Sequence, residues 1–306
     1  MLKSLKSLTV AAIGFAFLTA CATAPGSEVA KAPVAPVPIA DRPAMWVIKD
    51  EDSTIYLFGT VHILRKETQW RNPAFDQAFA SADTLWLEID QGEDPAAMQG
   101  LVMQIGMNPG KPLSSLLTED QNKRLNAAGA KYGLPPNGLD PFKPWMAGLT
   151  LSVLPLMQSG FDVNSGVETV ITAEAKAGGK TVRAFETAEQ QLRFFDGLPL
   201  DLQIEFLMSS VDGAEEGAKM LDTMVAGWAK GDTAVLEKAM VDDMRADYPE
   251  FYKVIIIDRN EAWAVTIEEM LKGSGTVFIA VGAGHLVGPD SVQALLKKRG
   301  ITAYRY

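Results

Sequence analysis

Two histidines are the only imidazoles in this 306-residue chain, and both stand in the same setting. His62 closes Gly59-Thr-Val-His62, and His285 closes Gly282-Ala-Gly-His285. Each Gly-x-x-His follows an apolar run at once: Ile55-Tyr-Leu-Phe58 before the first and Val277 to Val281 before the second. Such a run reads as a strand buried on both faces, the kind found in parallel sheets. Gly59, Gly282 and Gly284 then allow sharp backbone turns that a side chain would obstruct. The histidines therefore fall just past the C-terminal ends of central strands, where open α/β sheets place their ligands.

Charged groups take the same position on two other strands. Thr84-Leu-Trp-Leu-Glu-Ile89 delivers Glu88 near its end, with Asp90 beyond it, and Thr181-Val-Arg-Ala-Phe185 runs into Glu186. Arg259 precedes Trp263 by four residues on the apolar stripe of a helix that also carries Ile267, Met270 and Leu271. A charge on that stripe needs a partner, because an unpaired buried charge is expensive. Asn260 follows it. Two imidazoles with one or two carboxylates form a usual divalent metal site. An Arg beside it would bind a substrate carboxylate or steady a developing oxyanion. Each residue also has a plainer use. A histidine at a strand end can simply be hydrogen-bonded, Glu88 can cap a helix, and Asp90 can solvate a loop. Glu186 can belong to the helix start at Thr187, and Arg259 can serve a structural ion pair.

The elements that must position these groups alternate in type. Met45–Ile48 and Ile55–Phe58 form a hairpin around a polar loop. Helices are expected over Pro73–Ala82, Asp94–Met107, a stretch capped by Thr118 and running through Tyr132, Trp145–Met157 and Gly166–Ala177. From Ala188 to Tyr252 the chain reads as helical with Gly and Pro breaks. Asp258 caps a helix to Leu271, Pro289–Lys298 is the last helix, and Ile301–Tyr306 is an edge strand. The strand–helix rhythm predicts an α/β fold with a mixed, largely parallel sheet and many flanking helices.

Hydrophobic residues make up 47% and charged residues 22%, as in ordinary globular chains, and the net charge is −10. That charge argues against nucleic acid, which needs a basic face. The single Cys, Cys21, excludes an intrachain disulfide. It follows a short basic start and an apolar run, Leu8 to Leu18, shaped like a signal peptide. Leu18-Thr-Ala-Cys21 resembles a bacterial lipobox, in which the Cys carries the lipid; an ordinary secretory signal is the other reading. Residues 1–21 then form a lipoprotein signal, 22–44 a Pro/Ala-rich tether, and 45–306 the folded domain. The expected location is a lipid-anchored one at the outer membrane, facing the periplasm or the cell surface.

Together, Leu57-Phe-Gly-Thr-Val-His62, Leu85-Trp-Leu-Glu-Ile-Asp90, Ala175 to Glu189, Asp258-Arg-Asn-Glu-Ala-Trp263 and Phe278 to Leu286 resemble the TraB/PrgY/GumN family, related to the Tiki membrane proteases. The resemblance covers the folded domain from about Trp46 and is closest to the bacterial GumN-like branch. It implies a fold shared with erythromycin-esterase-like and ChaN-like proteins. It implies His62 and His285 as metal ligands, with Glu88 as a ligand or general base, and Glu186, Arg259 and Asn260 as further site residues. It also implies metal-dependent hydrolysis of peptide or similar amide or ester bonds, with manganese or cobalt as the metal and zinc or iron as alternatives. The rival readings are a haem- or iron-binding lipoprotein of the ChaN kind and a metal-free esterase with His as general base. Where many GumN-like members have Gly-Val/Leu-Asp, this chain has Gly166-Val-Glu168, a departure on the substrate side of the pocket.

Overall fold

The computed structural model describes residues 42–89 and 95–306. Asp90, Cys21, the signal peptide and nearly all of the tether lie outside the described residues. Six strands form one sheet in the order β4-β3-β5-β2-β1-β6. They are β1 Met45–Lys49, β2 Ser53–Thr60, β3 Thr84–Ile89, β4 Thr181–Glu186, β5 Gly275–Gly282 and β6 Tyr304–Arg305. The pairs β2–β5, β3–β5 and β3–β4 are parallel, while β1 is antiparallel to β2 and β6. The sheet is thus mixed and mostly parallel, as expected.

The apolar run of β5 lies at its centre, and the pleat sorts its side chains. Phe278 and Ala280 join Phe58, Phe75, Trp70 and Trp228 in the larger core on one face. Ile279 and Val281 join Leu57, Trp263, Ile267 and Leu296 on the other. Burial on both faces explains why this strand has no polar residue to mark an outer side. A third, smaller cluster around Leu113, Leu151 and Leu207 ties helices to one another away from the sheet.

Most helices fall where their patterns place them. Thr118 caps Glu119–Lys131 with a capping box to Gln121, and Thr187 does the same for Ala188–Asp196 with Gln190. Pro144 opens Pro144–Gln158, whose Trp145, Leu149, Leu151 and Leu156 are buried, so its apolar density is core.

Four details differ from the sequence reading. Asp258 does not cap a helix: a π-helical stretch, Lys253–Ile257, runs straight into Asp258–Met270, and the Asp258 N–H donates to Lys253 O. The last helix is shorter, Val292–Lys298: Asp290 accepts from Tyr252 Oη through its carboxylate and from Asn260 Nδ2 through its backbone carbonyl, and Ser291 precedes the first turn. The edge strand shrinks to Tyr304–Arg305. Gly59 marks no turn. It lies inside β2 opposite Val281, and a Cβ there would stand 3.1 Å from Ala283 Cα, so its need is close approach.

Candidate functional site

Strand register builds the site. Thr60 lies opposite Gly282 across the parallel β2–β5 pair, so the two Gly-x-x-His segments leave the sheet side by side. Leu87 pairs with Ala280, which sets Glu88 beside the end of β5, and the Gly282 N–H donates to Glu88 Oε1 at 2.6 Å. Ile89 pairs with Glu186 on the far side. His285 follows in the short 3-10 turn Ala283–Leu286. His62, Glu88, Glu186, Arg259, Asn260 and His285 are thereby brought together.

Arg259 is the hub. Its Nε donates to Glu186 Oε1 at 2.9 Å, and its Nη2 donates to Glu88 Oε2 at 2.6 Å and Glu186 Oε2 at 3.0 Å. Its Nη1 reaches Ile255 O at 3.2 Å and His285 Nε2 at 3.0 Å. A guanidinium has five N–H donors, and each of them is taken. No donor is left for an oxyanion or a substrate carboxylate. The expected catalytic role of Arg259 thus gives way to positioning, since its bonds hold Glu88 and His285 in place. Glu186 also receives Trp263 Nε1 at 2.9 Å, so it too is committed within the cluster. Burial nevertheless pushes the Glu186 carboxyl above the ordinary range, with Arg259 opposing. For Glu88 the balance goes the other way. Burial alone would raise it, but Arg259, the two imidazoles and the Gly282 N–H hold it well below the usual carboxylate range.

The histidines differ in their partners. Asn260 Nδ2 donates to Asp290 O at 2.8 Å, which leaves its Oδ1 as acceptor for His285 Nδ1 at 2.7 Å. His285 therefore carries its proton on Nδ1 and presents the Nε2 lone pair to Arg259. Burial and that guanidinium push its pKa down to about 3. His62 Nδ1 instead meets Glu168 Oε1 at 2.7 Å, an oxygen that Thr60 Oγ1 also bonds. Burial would lower His62, but the Glu168 carboxylate, with Glu88 further off, outweighs it and raises the pKa to about 9. Glu168 is the residue that the strand-end pattern missed, because it sits at the start of a helix, Val167–Ala177. Gln191 is the other, donating to Glu88 Oε2 at 3.1 Å. The His62 side chain is 17% exposed and the others 8% or less, so the cluster opens to solvent on the His62 side.

The residue range matched by a family model now decides the relationship: the TraB/PrgY/gumN family model covers residues 44–305. The chain belongs to the TraB/PrgY/gumN family. Among curated proteins it is similar to an uncharacterized protein of Treponema pallidum (strain Nichols), 22% identical over 83% of this chain and 80% of that one. It is also similar to the uncharacterized protein YbaP of Escherichia coli (strain K12), 21% identical over 83% of this chain and 92% of the relative. No solved structure matches the chain, so the expected likeness to erythromycin-esterase-like and ChaN-like folds has no coordinates to rest on.

Whether a divalent metal suits this family member's cluster turns on the donor set. Both imidazoles use Nδ1 outward, which leaves the two Nε2 atoms inward, the arrangement of metal-binding histidines. A Cβ built on Gly282 would meet Glu88 Oε1 at 2.9 Å and His62 Nε2 at 3.2 Å, so two donor atoms face one point above a residue with no side chain, with His285 presenting its ring carbon Cδ2 there at 3.7 Å. Three acidic side chains, Glu88, Glu168 and Glu186, gather around one guanidinium and the two imidazoles, acid-rich surroundings of the kind a divalent cation takes. The donor chemistry fits. Among the described residues no group of three or more His, Cys, Asp or Glu side chains stands placed to hold a metal ion; His285 Nε2 is turned to Arg259.

Proposed function

We propose that the domain is a metal-dependent hydrolase of peptide or similar amide or ester bonds, anchored by lipid on Cys21 and facing the periplasm or cell surface. The observation that carries the reading is the pair of imidazoles pinned through Nδ1, with Nε2 inward beside an ionised Glu88. His62, His285 and Glu88 would hold the cation once His62 has released its Nε2 proton and His285 Nε2 its bond from Arg259; when bound, the cation would lower the pKa of a water and polarise the scissile carbonyl. Arg259 keeps Glu88 ionised and weakly basic, which suits a ligand better than a general base. Glu186 holds Arg259, and Asn260 holds the His285 tautomer. Substrate would enter from the His62 side, where the cluster meets solvent.

The test is elemental analysis and metal titration of the full-length chain beside its His62→Ala/His285→Ala variant. Stoichiometric manganese, cobalt, zinc or iron is expected in the parent and none in the variant, with peptide turnover lost to chelator and restored by metal. A parent that takes up no metal ends the metallohydrolase reading. A Soret band on haem addition would then favour the iron-binding alternative, and chelator-insensitive turnover the esterase.

The anchor rests on Leu18-Thr-Ala-Cys21. Labelled fatty acid fed to expressing bacteria should enter the parent and not Cys21→Ser. Equal labelling of the two would remove the lipid from the proposal.

A further inference from the structure

Glu168 stands outside the set of residues that the strand ends supply, yet it touches the most exposed of them. Backbone contacts bring it there. Gly166 lies so close to His62 that a Cβ on it would stand 2.1 Å from His62 O, and the Val167 N–H donates to Val61 O at 3.1 Å. The helix that follows therefore begins against the Val61–His62 backbone, and its first turn carries Glu168 to His62 Nδ1 at 2.7 Å. Glu168 is 3% exposed. Its Oε1 serves His62 and Thr60, while its Oε2 has no hydrogen-bond partner among the described residues. Thr172 Oγ1, one turn further along the same helix, is buried and unpartnered in the same way.

A buried carboxylate with one bare oxygen costs stability, and an apolar side chain of similar size would fill the space without that cost. What the carboxylate adds is a fixed acceptor for His62 Nδ1–H. That bond orients the ring so that Nε2 faces the point above Gly282, beside Glu88 Oε1. Asn260 gives His285 the same support with a neutral amide. We propose that Glu168 is the positioning residue of His62, fixing the ring and its Nδ1 proton so that Nε2 is presented to the ligand of the site. The part that concerns metal affinity rests on the metallohydrolase reading; the part that concerns the ring does not.

The chain's two histidines make the test direct, because histidine labelled with ¹⁵N gives only two imidazole systems in the full-length chain. Both Nδ1 protons are expected as downfield, hydrogen-bonded resonances. Glu168→Ala should lose the His62 resonance and keep that of His285, which reports an intact fold, and Glu168→Asp should restore it. Cobalt(II) titration should show an affinity lower by about 10- to 100-fold in Glu168→Ala, with most of it recovered in Glu168→Asp. If Glu168→Ala does not fold, Glu168→Gln keeps the shape without the charge. Its His62 proton should move upfield and its cobalt affinity should fall. Parent-like protons and affinity in the folded variant would overturn the assignment. A parent that binds no cobalt but shows loss and rescue of the His62 proton would keep Glu168 in its role and remove the metal from the proposed function.

Discussion

Gly282→Ala is expected to lose metal uptake and turnover by about 100-fold or more while the protein stays folded. Gly282 has φ −49 and ψ 135, which alanine adopts without strain, so the backbone raises no objection. The added methyl would lie 2.9 Å from Glu88 Oε1 and 3.2 Å from His62 Nε2. Both atoms are ends of side chains, so they can yield, and the overpacking should cost no more than about 1–3 kcal/mol. The position they yield is the one where a ligand of the cluster would sit. The variant therefore separates folding from function. Its melting temperature should fall modestly while bound metal and hydrolysis disappear. Parent-like metal content in Gly282→Ala would show that the reactive point does not lie above Gly282, and the proposed ligand set would fail with it.

The parts of this cluster that lie at strand ends were legible in the sequence, and the reason is physical. A strand buried on both faces must be apolar throughout, so Val277–Val281 and Ile55–Phe58 announce themselves, and the polar residue that follows each is conspicuous. Parallel pairing then carries His62, Glu88, Glu186 and His285 to one edge of the sheet. Arg259 was legible as a charge in need of a partner. That its five donors would all be consumed was not, because the count depends on the positions of Ile255 O and His285 Nε2. Ile255 belongs to the π-helical stretch Lys253–Ile257, and nothing in Lys-Val-Ile-Ile-Ile marks a widened turn. Asp258 looks like a cap for the same reason, since an acid before an apolar helix has that appearance whether or not the preceding chain is already helical. Glu168 stands out in the sequence only as a departure from Gly-Val/Leu-Asp, and its pairing with His62 and Thr60 is not legible there, since Thr60 is 108 residues away. The local signal for that pairing is Gly166, whose necessity appears only when His62 O is seen against it.

The largest loss of stability is expected from Arg259→Leu. Removing one partner of a buried ion pair leaves the other charge uncompensated, which typically costs about 3–5 kcal/mol, and here two carboxylates are left. The pH dependence should shift as well. In the parent, Glu88 is held below its ordinary pKa. Its stabilising contribution is present above the unfolded value of about 4.3 and is lost as pH falls below it. Glu186, raised by burial, runs the other way even in the parent and offsets part of this at neutral pH. Without the guanidinium, burial is the largest influence left on both carboxyls and moves both folded pKa values upward from where they stand in the parent. Relative to the parent, the variant should then gain stability as pH falls from 7 towards 5, because its buried carboxyls take up protons at a higher pH than the parent's do. Urea unfolding of the metal-free parent and variant at pH 7 and pH 5.5 measures both effects. A variant within about 1 kcal/mol of the parent at pH 7 would mean that water reaches the cluster and solvates the freed carboxylates. The gathering of acidic groups that favours a divalent cation in this site would then lose its force.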